Sequence, residues 1–283
     1  MFSTAIPITL YVLSFILLTL PVVALLLLWR KYKIPFLRFF VSGIAGYFLI
    51  ISLLVPLLMS VITSLLSGGT GSEQYWSGDR YNAFLLLYSG LTAILQPALL
   101  FLVLRYILRG NFRIYDCMAM GVAFWYYPCM TTALSNVSYA RVILAYNKGE
   151  LASMVTEATP LATLETSVQY VADHGLFIFI AQTVNQLFMI LASVVVMVLL
   201  YHAIKSHKLQ FLLYAVLTVF AYLCIINFSE RLWGQTSTLI CLIVMAAACI
   251  LFLVLYFRWY RGQQLELLRQ RQEYKERLKN SGK

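Results

Sequence analysis

Charge is scarce in this sequence. Asp, Glu, Lys and Arg make up 11% of its 283 residues and hydrophobic residues 61%, whereas an ordinary soluble domain is about 25% charged. So few polar side chains cannot cover the apolar surface of a water-soluble fold. That excludes a soluble enzyme or binding module and makes hydrocarbon the solvent. Metal-binding and catalytic patterns are also lacking. The five cysteines (Cys117, Cys129, Cys224, Cys241, Cys249) form no CxxC pair, and an odd number leaves at least one unpaired, so they read as small buried hydrophobes. There is no HExxH, no ExxH on a spanning stretch and no GxSxG, and GGTG at 68–71 lacks the lysine of a phosphate loop. All eleven acids lie in loops, at helix ends or in the tail. Ionisable groups at depth are costly and mark function, so their absence argues against an intramembrane enzyme and gives no cofactor a home.

What the sequence has is long apolar runs. A spanning helix needs about 20 apolar residues, and seven segments meet that length: about 7–29, 39–66, 83–108, 116–138, 174–203, 209–228 and 237–258. The fourth is the weakest, because Asn136 and Tyr126-Tyr127-Pro128 interrupt it. Seventeen of the 21 Lys and Arg follow the first, third, fifth and seventh segments, and only Arg80, Arg141, Lys148 and Arg231 fall elsewhere. Basic loops stay in the cytosol. The expected fold is therefore an all-α polytopic bundle of about seven transmembrane helices, with the N-terminus outside and the C-terminus cytosolic. Residues 1–260 would form the transmembrane domain and 261–283 a basic cytosolic helical tail. The net charge of +10 sits at the ends of apolar runs, a membrane pattern that leaves nucleic acid out as a partner. The tail's Arg and Lys are suited to anionic lipid headgroups, at about 1 kcal/mol each. Compact loops and the missing transit peptide suggest a multi-pass protein of a bacterial plasma membrane.

Residues 67–82 are rich in Gly and Ser and read as an outer loop. Residues 139–173 form the longest loop, in which Tyr139, Val142, Ile143 and Tyr146, and then Leu151, Met154 and Val155, recur at helical spacing. The spacing predicts a short helix, lying on the outer membrane surface or packed over the bundle, ended by Pro160. No internal repeat supports an inverted-repeat transporter.

Polar residues inside the spans supply the first candidate site. Gln182, Asn185 and Gln186 share one helical face. With Gln96 and Asn227 they would make hydrogen bonds between helices or, together with Trp125, Tyr126 and Asn136, line a polar cavity opening outward. A second candidate, an outer metal site of Glu165, Asp173 and His174 with Glu157, has ligand types suited to zinc or manganese. The same acids also suit a helix start.

The stretches LLFLVLRYILR at 99–109, MGVAFWYYPCM at 120–130 and VVVMVLLYHAIKSHKLQFLLYAVLTVFAYLCIIN at 194–227 resemble the YhfC-like membrane proteins. These are similar to the PrsW and CAAX-type intramembrane proteases and to the seven-span scaffold subunit of gamma-secretase. The resemblance implies a glutamate pair ahead of Arg-Tyr, a glycine followed by a histidine and a glutamate, and a histidine in the sixth span. Here Arg105, Tyr106 and Gly121 match. Phe101 and Leu102 replace the acids, Phe124 and Pro128 replace the fourth-span pair, and 209–228 holds no histidine. The implied function is a non-catalytic, protease-like scaffold that binds a membrane protein partner or a lipid. The alternatives are a membrane subunit of a transport or export system and an active metalloprotease of this type.

Overall fold

The computed structural model describes residues 2–67, 76, 80–108, 112–156 and 159–281. Helix α1 runs Ala5–Tyr32 and stops where Lys33 turns left-handed (φ 49°) and returns its N–H to the Trp29 carbonyl at 2.8 Å. Arg30 and Lys31 occupy its last turn, where cations complement the helix dipole. The second span comprises α2 (Phe36–Tyr47), a π-helical segment Phe48–Leu54 and α3 (Val55–Ser67). Its buried stripe, Phe39, Gly43, Gly46, Ile50, Val55, Met59 and Thr63, advances by three or four residues except for one five-residue step from Ile50 to Val55. That step crosses the π turn, whose i→i+5 bonding absorbs the extra residue and keeps the stripe on one side.

The third span is α4 (Arg80–Leu102), continued by a π-helical turn Val103–Ile107. The fourth segment does not form the single helix expected at 116–138. It is α5 (Ile114–Phe124) and α6 (Tyr126–Lys148), parted at Trp125 (φ −96°, ψ 5°). Pro128 is the reason: in an unbroken helix its ring would meet the Phe124 carbonyl and its missing N–H would orphan it. As the third residue of a new helix, Pro128 sits where no intrahelical N–H is needed. At the start of α5 the Arg113 backbone N–H donates to the Asp116 carboxylate at 2.6 Å.

The region expected as a long outer loop is mostly helical. Tyr139, Val142, Ile143 and Tyr146 belong to the last turns of α6, which ends at Gly149 in a left-handed cap (φ 75°). Leu151–Met154 is a 3-10 turn. Pro160 opens the next helix, α7 (Leu161–His174), rather than closing one; an extended proline fits before a first turn, where its absent N–H costs nothing. Helix α8 is Phe177–Lys205. The remaining chain is helical from Gln210 to Ser281 except at Gly234 (φ 79°, ψ 171°), which divides it into α9 (210–233) and α10 (235–281). The last span therefore continues into the basic tail as one helix.

Among the described residues the protein is an all-helical membrane bundle. Six helices have the length and hydropathy to cross a bilayer: Ala5–Tyr32, Leu37–Ser67, Arg80–Ile107, Phe177–Lys205, Gln210–Phe228 and Thr236–Gln263. Helices α5 and α6 fill the place of the weakest expected span. The core forms around α8, where Val196, Met197, Val198 and Leu200 are fully buried. Helix α5 lies against α8 through Gly121, whose added Cβ would meet the Val194 Cα at 3.0 Å and the Ser193 carbonyl at 3.1 Å. Helix α2 closes on the other side of α5 through Gly43, where a Cβ would sit 2.7 Å from both the Met120 carbonyl and the Ala123 Cβ. Helix α1 packs along α6, pinned at its start by Asn147, which accepts the Phe2 N–H at 2.8 Å and donates to the Phe2 carbonyl at 3.0 Å. Basic residues gather at one end: Lys31, Lys33, Arg113 and Lys205 border a single space. The start of α8, the end of α9 and the start of α10 meet at the other.

Candidate functional site

The polar residues picked out in the sequence fall into three places. The first is a seam between α4 and α9. Polar side chains on α4 recur at Ser89, Thr92 and Gln96, all buried, which is one helical face. From α9 the Tyr222 hydroxyl donates to Gln96 Oε1 at 2.9 Å, and the Asn227 amide donates to Ser89 Oγ at 2.8 Å. Tyr88, on the same part of α4, lies within electrostatic reach of both Tyr47 and Tyr222. Two contacts of this type hold α9 on α4, at about 0.6 kcal/mol each in a membrane.

The second place is the helix break. The Trp125 ring stands 5.5 Å from Tyr47 and 5.6 Å from Phe124, edge to face in both cases. Tyr47 also contacts Tyr127 at 5.8 Å, and Tyr126 lies 5.8 Å from Phe40. The break is thus cemented by an aromatic cluster between α2, α5 and α6. Cys129 follows one turn later, its Sγ 3.9 Å from the Gln186 carbonyl.

The third is a cleft of about 140 Å³ between α8, α9 and α10, bordered by Gln182 and Asn185 with Ile226 and Thr238. Gln182 is exposed there and Asn185 half-buried. Gln186, one position on, is also half-buried. Several buried polar atoms have no protein partner: Gln96 Nε2, Trp125 Nε1, Asn136 Nδ2, Asn185 Oδ1 and Gln186 Oε1. Leaving such a group unpaired costs about 1–3 kcal/mol, so these positions are where water or a polar ligand group would gain most. Of the eight expected cavity residues, Gln182 and Asn185 border this cleft, Gln96 and Asn227 stand in the seam, and Trp125 and Tyr126 stand at the break. Tyr47, Tyr88, Ser89, Thr92 and Tyr222 were missed; the 89-92-96 spacing was the available signal, and Tyr222 gave none.

Glu165, Asp173 and His174 all lie exposed on α7 beside a shallow space of about 560 Å³. Asp173 accepts the Gln169 amide at 2.7 Å, and His174 Nδ1 faces the Tyr170 carbonyl at 3.0 Å. Tyr170 stacks on Tyr139 (5.6 Å), whose phenol pKa is raised by burial and then by Tyr170. Glu157 lies outside the described residues. Among the described residues no three His, Cys, Asp or Glu side chains stand close enough together to hold a metal.

The family-implied positions are packed or turned outward. Phe124 is fully buried, Pro128 is buried and Phe101 packs against the core, whereas Leu102 is exposed. Arg105 and Tyr106 are exposed at the end of α4, with the guanidinium 5.6 Å from the Tyr106 ring.

The family model described as YhfC intramembrane metalloprotease matches residues 16–246, and the chain belongs to that family. No curated protein and no solved structure matches the chain. The family's description implies a metal. The donor set here does not fit one: Phe101, Leu102, Phe124 and Pro128 offer no nitrogen, oxygen or sulfur ligand in their side chains, and Phe124 fills its space with a ring packed on Tyr47 and Trp125.

Proposed function

We propose that this member of the family is a non-catalytic helical scaffold that holds a second membrane protein or a lipid in the bilayer, with its basic end in the cytosol. The observation that carries the reading is the fully buried ring of Phe124, packed on Tyr47 and Trp125, where the family pattern calls for a ligand. A catalytic zinc site needs three protein ligands and an open position for water. A packed aromatic cluster supplies none of these and excludes the water. The asymmetry of Lys and Arg supports the orientation, and compact loops fit a bacterial plasma membrane.

The test is proteolysis in a bilayer. The purified full chain, reconstituted with a fluorescently tagged single-span peptide and added zinc, should yield no cleavage beyond that of empty vesicles. Cleavage abolished by a chelator and restored by zinc would overturn the reading.

A further inference from the structure

We infer that a groove between α1, α5, α8 and α10 at the basic end binds an anionic phospholipid, its acyl chains lying in the groove and its phosphate under the Arg and Lys residues at the mouth. This deepens the scaffold reading by naming a ligand class for one site.

The groove encloses about 1030 Å³, and its walls include Ala24 and Leu28 of α1, Met118 and Val122 of α5, Leu191 of α8 and Leu253 of α10. That volume lies at the upper limit of ligand pockets, roughly 300–1,000 Å³. Along α1 it extends from Leu20 to Tyr32. Twelve steps of ~1.5 Å give roughly 18 Å, about one leaflet of a ~30 Å hydrocarbon core. An acyl chain entering from the bilayer therefore reaches the basic end without leaving hydrocarbon.

The mouth has the opposite character. Arg30 and Lys31 border the groove itself. Two further spaces of about 440 Å³ share its walls, one bringing Arg258 and Arg261, the other Lys33, Arg113 and Lys205. These seven cations come from α1 and its cap, the α5 cap, α8 and α10, so the fold, not the tail alone, concentrates them. No acidic side chain borders any of the three spaces among the described residues. Asp116 is buried behind the mouth, with Arg113 Nε 3.6 Å away.

Tyr32 and Tyr115 stack at 3.5 Å, and Tyr115 stacks on Phe257 at 6.0 Å. These rings form an aromatic shelf where groove and mouth meet. Phenol hydroxyls donate hydrogen bonds, and Arg binds phosphate through paired N–H groups. A net anion gains from every cation near the surface, whereas a zwitterionic headgroup brings its own ammonium into the same field. Charge complementarity thus selects an anionic lipid over a neutral one.

The experiment is native mass spectrometry of the full chain in nonionic detergent with dioleoyl phosphatidylglycerol or dioleoyl phosphatidylcholine. Phosphatidylglycerol should be retained about tenfold more tightly as a single adduct. The combined substitutions Lys31→Gln, Arg113→Gln and Arg258→Gln, all on exposed side chains, should erase that preference while the protein stays folded. Ala24→Phe should reduce retention of both lipids by filling the groove. Equal retention of the two lipids, a preference untouched by the charge substitutions, or a second copy of the chain displacing lipid would overturn the inference. Those outcomes leave the scaffold reading standing, and proteolysis would leave the lipid site standing.

Discussion

The most apolar 18-residue stretches of α8 and of the last span have mean hydropathies of 2.5 and 3.1, yet 78% of the first stretch is buried within the protein and 6% of the second. Hydropathy reports the solvent a helix tolerates, and lipid and a protein interior are equally apolar. Small residues on the facing helix decide which helix is central. Helix α8 meets Gly121 of α5 at backbone contact, whereas the last span rests against the bundle along one edge and turns Val244, Leu251 and Leu255 outward.

The sharpest break of this comparison is a pair of identical truncations. Leu200→Ala, at a fully buried position of α8, should destabilise the protein by about 2–5 kcal/mol. Leu251→Ala, 58% exposed on the last span, should change stability by less than about 0.5 kcal/mol. Melting temperatures in detergent read the difference, and equal shifts would mean that the last span is also enclosed. A smaller effect is expected at the joint between α9 and α10. The φ of 79° and ψ of 171° at Gly234 fall in a region open essentially to glycine, so Gly234→Ala should cost about 1–3 kcal/mol. Protease accessibility of the joint, alongside the melt, would show whether the last span loosens first. The smallest effect belongs to Tyr222→Phe, which removes the donor to Gln96 at about 0.6 kcal/mol. An effect several times larger would show that the α4–α9 seam acts as one cooperative network.

Much of the fold was legible in the sequence because it depends on local apolar length. The first, second, third, fifth, sixth and seventh segments all have helices at the expected places, and the continuation of the last into the tail follows from its helix-forming residues. The break at Trp125 was half legible. Pro128 advertised it, but the surrounding hydropathy suggested one span. Pro160 was misread because a proline equally marks the end of one helix and the start of the next, and only the backbone decides. The face shared by Gln182 and Asn185 could be read from spacing. The Gln96–Tyr222 bond could not, since its partners are 126 residues apart and no periodic pattern reaches that far. The basic groove mouth was legible only as charge on the cytosolic loops and tail, because convergence of Lys31, Arg113 and Arg258 is a property of the assembled bundle.

The π turn at Phe48–Leu54 has a consequence for how this span can change length. Because the turn carries one surplus residue, deleting a single residue between Ile50 and Val55 would bring those two into ordinary four-residue spacing. Phe39 and Gly43 above and Met59 and Thr63 below would keep their present sides. A deletion in a plain α-helical stretch would instead swing everything beyond it by about 100°. The span therefore holds a built-in allowance for losing one residue without re-facing either half.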